Sequence, residues 1–249
     1  MIDPAPLFSI ITITKENLEG LRHTAQSVQG QSSNHYEWIV IDGDSKDGTM
    51  DFLKTLKAVT ISEPDRGLYH AMNKGIDRAR GAYLIFMNAG DSFADPDILS
   101  TLVKAIQTFR PDFLYGDALE DNGFYKKARS HRAIKLGMFT HHQAMVYKKD
   151  VIGELRYDET YKIAADYDFT ARVLKRCQNP HYIPCAICYF AAGGISQRSM
   201  TLGRREQFTA RQRLNLCPPW NNLLIYMKQK LAGELRVAAP GFYSKIRQK

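Results

Sequence analysis

The sequence lacks the features that would place it among membrane-spanning or secreted proteins. It contains no run of 18 or more apolar residues, so no segment predicts a membrane span. The first residues, MIDPAPLFSIITIT, carry an aspartate and two prolines and no basic region, so they do not predict a secretory signal. Hydrophobic residues make up 44% of the 249 and charged residues 24%, which indicates a globular rather than a disordered chain.

Cysteine is scarce, with four residues in the chain. Cys185 and Cys188 form a C-x-x-C pair, but no second pair of metal-binding residues follows at zinc-finger spacing. We therefore expect no zinc or redox centre here. Buried, reduced thiols in a cytosolic protein account for the pattern.

Acidic residues are also scarce towards the C-terminus. The segment 198–249 contains two glutamates and no aspartate among many lysines and arginines, and the whole chain has a net charge of +8. Such a surplus suits a phosphate-rich partner or an anionic surface. No nucleic-acid-binding motif accompanies it, so nucleic acid is not an expected partner.

Strand-like and helix-like segments alternate along the first half of the chain. Apolar, β-branched runs predict strands at 8–14, 37–43, 59–65, 82–91 and 113–119. Helical spacing of apolar residues predicts helices at 17–31, 49–57, 67–81, 96–110 and 163–177. This alternation predicts an α/β fold whose mostly parallel sheet is covered by helices on both faces.

Two aspartates come at the ends of predicted strands, Asp42 after the second and Asp91 after the fourth. Ligands of open parallel sheets bind outside the carboxyl ends of the strands, so both carboxylates are expected in one crevice. Asp91 and Asn88 offer hard oxygen ligands for Mg²⁺ or Mn²⁺, and Gly90 would let a diphosphate approach the backbone. Local turn or Asx-turn roles for Asp42 and Asp91 remain alternatives.

A third aspartate, Asp166, begins the helix predicted at 163–177. A carboxylate within hydrogen-bond reach of an attacking hydroxyl can take its proton. The alternative is that Asp166 complements the positive end of the helix dipole.

The order and spacing of several stretches resemble glycosyltransferase family 2 with the GT-A fold, and most closely the bacterial exopolysaccharide enzymes of the colanic-acid type. The matching stretches are 9-SIITIT-14, 40-VIDGDSKDGT-49, 62-SEPDRGLYHAMNKGIDRARGAYLIFMNAGD-91, 142-HQAMVYKKD-150, 156-RYDETYKI-163, 163-IAADYDFTARVL-174 and 193-GGIS-196.

The resemblance implies inverting transfer of a sugar from a nucleotide-diphospho-sugar to an acceptor hydroxyl, with a lipid-linked oligosaccharide as the expected acceptor. Asp42 matches the residue that contacts the nucleoside, Asp91 the last carboxylate of the metal-binding motif, and Asp166 the catalytic base. Asn88 and Gly90 stand where the family usually has aspartate, which leaves Asp91 as the clear metal carboxylate.

Further expectations concern residues near these motifs. Thr14, Arg66 and Lys74 are predicted on the donor side, although the two cations could equally be solvated helix charges. His142 and Gln143 are predicted on the acceptor side.

The resemblance divides the chain into a catalytic domain at 1–200, with a nucleotide-sugar half at about 1–119 and an acceptor half at about 120–200, and a C-terminal helical appendage at 201–249. The tail from Trp220 mixes aromatic and aliphatic residues with Lys and Arg. This composition predicts an interfacial helix at the inner face of the cytoplasmic membrane, with packing on the domain as the alternative.

Two other functions remain open at this point. A sugar-nucleotide nucleotidyltransferase would need a glycine-rich basic loop after the first strand, whereas this loop reads TKENLEG. A non-catalytic scaffold on the same fold is disfavoured by the presence of all three aspartates.

Overall fold

The computed structural model describes residues 5–121, 123–191 and 199–238. For residues 236–238 it describes the backbone alone. The predicted 193-GGIS-196 match and the tail beyond residue 238 lie outside this part of the chain. Within it, nine strands form a single sheet. Eight of them lie side by side in the order Val59–Ser62, Tyr36–Asp42, Phe8–Thr14, Tyr83–Phe86, Met145–Lys148, Phe113–Glu120, Pro180–Phe190 and Ser92–Phe93, and the ninth, Tyr125–Lys126, pairs with Phe113–Glu120.

The N-terminal half forms the parallel part of this sheet. Its strands are β1 (Phe8–Thr14), β2 (Tyr36–Asp42), β3 (Val59–Ser62) and β4 (Tyr83–Phe86). The helices that alternate with them are α1 (Leu18–Gln29), α2 (Thr49–Leu53), α3 (Leu68–Arg78) and α4 (Ile98–Phe109). The predicted order of elements is therefore confirmed. β1 and β4 are fully buried and β2 is mostly buried, whereas the edge strand β3 is partly exposed.

Both faces of the sheet are buried, as the continuous apolar strands predicted. All seven residues of β1 are buried. Ile11 and Ile13 belong to one apolar cluster and Phe8 and Ile10 to the other, since successive side chains point to opposite faces. The core consequently lies in two layers on either side of the sheet.

The fourth strand is shorter than predicted. β4 ends at Phe86, and residues 87–91 leave the sheet as a loop instead of continuing the strand to Asp91. Gly90 has a φ of 106°, a conformation that costs glycine little and other residues more. The loop therefore turns back over the end of the sheet.

The second half completes the sheet with non-local pairings that the sequence did not reveal. Its strands are β5 (Ser92–Phe93), β6 (Phe113–Glu120), β7 (Tyr125–Lys126), β8 (Met145–Lys148) and β9 (Pro180–Phe190). The helical segments are two 3₁₀ turns, His131–Leu136 and His142–Ala144, and the helices α5 (Lys149–Ile152) and α6 (Ala165–Leu174). β8 runs antiparallel between β4 and β6.

The C-terminal appendage consists of α7 (Met200–Arg213) and α8 (Pro219–Ala238). Phe208 of α7 and Tyr226 of α8 place their ring centres 5.4 Å apart, and Asn222 donates to the carbonyl of Phe208. Gln229 of α8 donates to the carbonyl of Leu136 in the catalytic part. One face of α8 is therefore packed on the protein, in agreement with the alternative in which the tail packs on the catalytic domain.

A buried ion pair fastens α7 to α6. Asp168 is fully buried, and its two carboxylate oxygens accept from Arg172 at 2.7 Å and from Arg213 of α7 at 2.6 Å. Asp168 is thus a structural residue that is held by two arginines, unlike Asp166, which lies two residues earlier on the same helix.

We expect Asp168→Asn to lower the free energy of unfolding by about 3 kcal/mol, because two guanidinium groups lose the buried carboxylate that pairs with both. Urea unfolding followed by circular dichroism measures the change. Asp51→Asn is the control, since Asp51 is 84% exposed and its solvent-screened ion pair with Lys54 should contribute little to stability. Equal effects of the two substitutions would contradict the assignment.

Candidate active site

A cavity of about 1000 Å³ opens at the carboxyl ends of β1 and β4. The loop after β4, the start of α3 and the His142–Ala144 turn line it. The start of α6 and residues of α7 and α8 complete the lining. The location agrees with the rule that ligands of open parallel sheets bind beyond the carboxyl ends of the strands.

The loop after β4 is held rigidly against β1 and α1. The amide of Ala89 donates to the carbonyl of Ile13, and the amide of Gly90 donates to the carbonyl of Gly20 at 3.0 Å. The hydroxyl of Thr24 donates to the carbonyl of Asp91 at 2.7 Å. These bonds fix the positions of Asn88 and Asp91, which both line the cavity.

The carboxylate of Asp91 is buried, with 6% of the residue exposed. Gln143 donates to one of its oxygens at 2.6 Å, and the amide of Ala191 donates to the other at 3.1 Å. Burial raises the pKa of Asp91 to about 6, although both hydrogen bonds act in the opposite direction. Desolvation therefore outweighs hydrogen bonding at this carboxyl group.

His142 joins the loop after β4 to the start of α6. Its Nε2 lies 3.3 Å from Nδ2 of Asn88, and its Nδ1 lies 3.7 Å from the carboxylate of Asp166. Burial lowers the pKa of His142 to about 4, so the ring is neutral at physiological pH. The Asn88 amide donates to Nε2, which leaves the ring proton on Nδ1, facing Asp166.

Asp166 lines the cavity in the first turn of α6. Its side chain is 22% exposed, and the amide of Tyr167 donates to it at 2.7 Å. Burial raises the pKa of Asp166 to about 6. A carboxyl group with this pKa is ionised at neutral pH and is a stronger base than an ordinary aspartate.

Three buried side-chain atoms at the cavity have no hydrogen-bond partner among the described residues: Thr14 Oγ1, Asn88 Oδ1 and Gln143 Oε1. Buried polar groups in folded proteins are nearly always paired. The cavity therefore presents unpaired oxygens where a polar ligand would be bound.

One of these oxygens, together with Asp91, could bind the divalent cation that the sequence predicts. Among the described residues no three acidic, histidine or cysteine side chains converge on a common point that suits a metal. Asp91 and the free Oδ1 of Asn88 are hard oxygen ligands, which suits Mg²⁺ or Mn²⁺ with water and substrate phosphates in the remaining positions. The residues present therefore fit a weakly held cation.

Asp42 is close to the cavity but does not line it. It ends β2 opposite Thr14 of β1, and the amide of Gly43 donates to the carbonyl of Thr14. Its carboxylate is fully buried and accepts from the backbone amide and hydroxyl of Ser45 and from the hydroxyl of Ser62. Contact between Asp42 and a nucleoside stays a prediction.

Arg66 and Lys74 do not line the cavity either. Arg66 is mostly exposed and pairs with Glu159, and Lys74 pairs with Glu63 at 2.9 Å and Asp65 at 2.8 Å. The alternative of helix-surface charges fits both side chains in this structure, because nearby carboxylates already neutralise them.

The structure places other cations at the cavity that the sequence did not single out: Lys15, Lys126, Lys162 and Arg204. Lys15 follows β1, so its position at the carboxyl edge of the sheet could have been inferred. Arg204 comes from α7 and lies so close to Gly233 of α8 that a Cβ there would be 2.1 Å from its Nη2. Only the packing of the appendage brings Arg204 to the cavity.

Comparison with known proteins identifies similar sequences among glycosyltransferases. The chain is 34% identical over 203 residues to an uncharacterized glycosyltransferase of Mycobacterium tuberculosis, covering 77% of each chain. It is 30% identical over 179 residues to a PGL/p-HBAD biosynthesis glycosyltransferase of Mycobacterium bovis, covering 68% of this chain and 70% of that one.

Solved structures show the fold. S. aureus TarS 1–349 in complex with UDP-GlcNAc superposes with a TM-score of 0.70 at 16% identity, covering 95% of this chain and 75% of that one. The likeness identifies the architecture as the GT-A fold, as the resemblance implied. The family model described as Glycosyl transferase family 2 matches residues 9–191, and the chain therefore belongs to this family.

Proposed function

We propose that the protein is an inverting hexosyltransferase that moves a sugar from a nucleotide-diphospho-sugar to the hydroxyl of a lipid-linked acceptor. One observation carries the proposal: Asp91 and Asp166, 75 positions apart in the sequence, line one cavity and are connected through Asn88 and His142. The acceptor would be an intermediate of exopolysaccharide or capsule synthesis, of the colanic-acid type, handled at the inner face of the cytoplasmic membrane.

The names of the compared proteins support a nucleotide-sugar donor. S. aureus TarS was solved with UDP-GlcNAc, and the Pyrobaculum calidifontis mannosyltransferase PcManGT, with a TM-score of 0.65 at 15% identity, was solved with GDP-Man and Mn²⁺. Membership of the family favours sugar transfer over the nucleotidyltransferase and scaffold alternatives.

In this proposal Asp166 is the general base. Its ionised carboxylate accepts the proton of the acceptor hydroxyl as that oxygen attacks the anomeric carbon from the side opposite the leaving diphosphate, which inverts the configuration. The neutral ring of His142 lies 3.7 Å from the Asp166 carboxylate and adds no positive charge that would make this base weaker. We assign His142 to the positioning of groups around the base.

The donor side comprises Thr14, Asn88, Gly90 and Asp91. The unpaired oxygens of Thr14 and Asn88 would bind the polar groups of the nucleotide-sugar or the hydration shell of a cation. Asp91 and Asn88 would hold Mg²⁺ or Mn²⁺, whose charge, when the ion is bound, stabilises the negative charge of the departing diphosphate. Gln143 keeps the Asp91 carboxylate in place through its 2.6 Å hydrogen bond.

We expect Asp166→Asn to lower the rate of sugar transfer from the donor by about 10²-fold or more, because an amide cannot accept the proton of the acceptor hydroxyl. Release of nucleoside diphosphate from the donor measures turnover, and calorimetry with the nucleotide measures binding, which should be retained. Asp150→Asn on the exposed side of α5 is the matched control. Wild-type turnover in Asp166→Asn would refute the base assignment.

The pH profile tests the same residue independently. Because burial raises the pKa of Asp166 to about 6, the ionised base is lost as the pH falls through that value. We expect turnover to fall about tenfold for each pH unit below about pH 6. His142, with its pKa lowered to about 4, stays neutral over this range. The assay uses saturating donor and Mn²⁺, since a bound cation lowers the pKa of Asp91.

We predict that Mn²⁺ or Mg²⁺ strengthens binding of the nucleoside diphosphate through Asp91. A thermal-shift panel of UDP, GDP, TDP and CDP, each with Mn²⁺ or with EDTA, identifies the nucleotide and the metal effect together, because a ligand of the folded state raises its apparent stability. Asp91→Ala should abolish the difference between Mn²⁺ and EDTA, whereas Asp150→Asn should keep it. Identical shifts in EDTA and Mn²⁺ for the wild type would remove the metal role.

A further inference from the structure

Helix α8 presents a row of large apolar side chains that the described part of the protein leaves uncovered. This row, the α8 stripe, consists of Trp220, Leu223, Leu224, Met227, Leu231 and Leu235. Their exposed fractions range from 37% for Leu235 to 66% for Trp220. A contiguous apolar patch of this kind on a soluble surface marks an interaction site.

The spacing places the α8 stripe along one side of the helix. Its members recur at three- and four-residue intervals over four turns, which is the period of a single helix face. The opposite face bears Asn222, Ile225 and Gly233, which are buried against the rest of the protein. The core face of α8 is therefore already used, and the stripe is a second apolar face.

The charges beside the α8 stripe indicate its occupant. At 100° per residue, Lys228 and Lys230 fall on opposite flanks of the stripe, and both are exposed. Glu234, which is exposed and lies 3.9 Å from Lys230, falls within the arc of the stripe near its C-terminal end, so the face carries one carboxylate between the two flanking lysines. An apolar face bordered by lysines has the form of a helix that lies in an anionic bilayer interface.

The position of α8 at the cavity connects this surface with the active site. Gln229, Ala232 and Gly233, on the inner side of the helix, line the same cavity as Asp91 and Asp166. In the described part of the chain no helix is long and apolar enough to cross a membrane. α8 would therefore lie along the surface rather than through it.

We propose that the α8 stripe docks on an anionic membrane surface and thereby holds the wall of the catalytic cavity at the bilayer, where a lipid-borne acceptor can enter. The docking itself is independent of the chemistry, whereas the delivery of an acceptor rests on the proposed function. The apolar side chains would insert among the lipid chains, and Lys228 and Lys230 would contact the headgroups.

The test is co-sedimentation of the full chain with vesicles of phosphatidylcholine and phosphatidylglycerol, and with vesicles of phosphatidylcholine alone. We expect binding to the anionic vesicles that weakens with added salt. A stripe variant carrying Leu223→Gln, Leu224→Gln, Met227→Gln and Leu231→Gln should bind at least about tenfold more weakly. A control variant, Met50→Gln with Val59→Thr, removes comparably exposed apolar side chains elsewhere and should bind like the wild type.

Lys228→Gln with Lys230→Gln separates the headgroup contribution from the apolar one. This variant should bind the anionic vesicles only as weakly as the neutral vesicles, for which its small affinity is unchanged. Circular dichroism melting of each variant verifies that α8 still packs on the domain.

Two results would overturn the proposal. One is binding of the stripe variant to anionic vesicles with wild-type affinity. The other is a wild-type dimer that becomes monomeric in the stripe variant by sedimentation equilibrium, which would assign the surface to a second copy. Asp166→Asn should lose turnover and still bind vesicles like the wild type. Retained turnover in this variant would refute the base assignment alone, whereas wild-type vesicle binding by the stripe variant would refute the docking alone.

Discussion

The site depends on one strand that runs against its neighbours. β8 lies antiparallel between β4 and β6, with Ile85 of β4 opposite Val146. Because antiparallel registers progress in opposite directions, the residues just before β8 meet the residues just after β4. This crossing brings Gln143 to Asp91 and His142 to Asn88. A parallel strand in the same place would have carried both side chains to the far edge of the sheet.

The cavity is assembled from parts of the chain with different tasks. The parallel half supplies fixed backbone, since the loop after β4 is hydrogen-bonded to β1 and α1, while Oδ1 of Asn88 has no partner among the described residues. α6 contributes Asp166, and the appendage contributes Arg204 and the inner face of α8. The appendage thus forms part of the cavity lining as well as part of the surface. The predicted boundary at residue 200 therefore does not separate residues that line the site from residues that do not.

Periodicity was sufficient for the parallel half because each strand and helix there is a local amphipathic or apolar unit, and β1 has the predicted bounds. It was insufficient where pairing is non-local, as in the two-residue strand β5, which is held by β9 nearly a hundred positions away. Local sequence also could not separate Asp166 from Asp168, because both lie in the first turn of α6 and their tertiary neighbours distinguish them. The charge of Lys74 was visible, but the carboxylates that neutralise it were not.

Burial of Asp91 and Asp166 affects how the stability of the ligand-free protein depends on pH. Both have a pKa of about 6 in the native state, above the value of about 3.9 for an unfolded aspartate. The native state therefore binds more protons than the unfolded chain between these values, and the stability that these groups contribute in acid is lost as the pH rises through about 6. For these two carboxyl groups, the pH range in which they contribute stability and the pH range in which the base is ionised consequently lie on opposite sides of about pH 6.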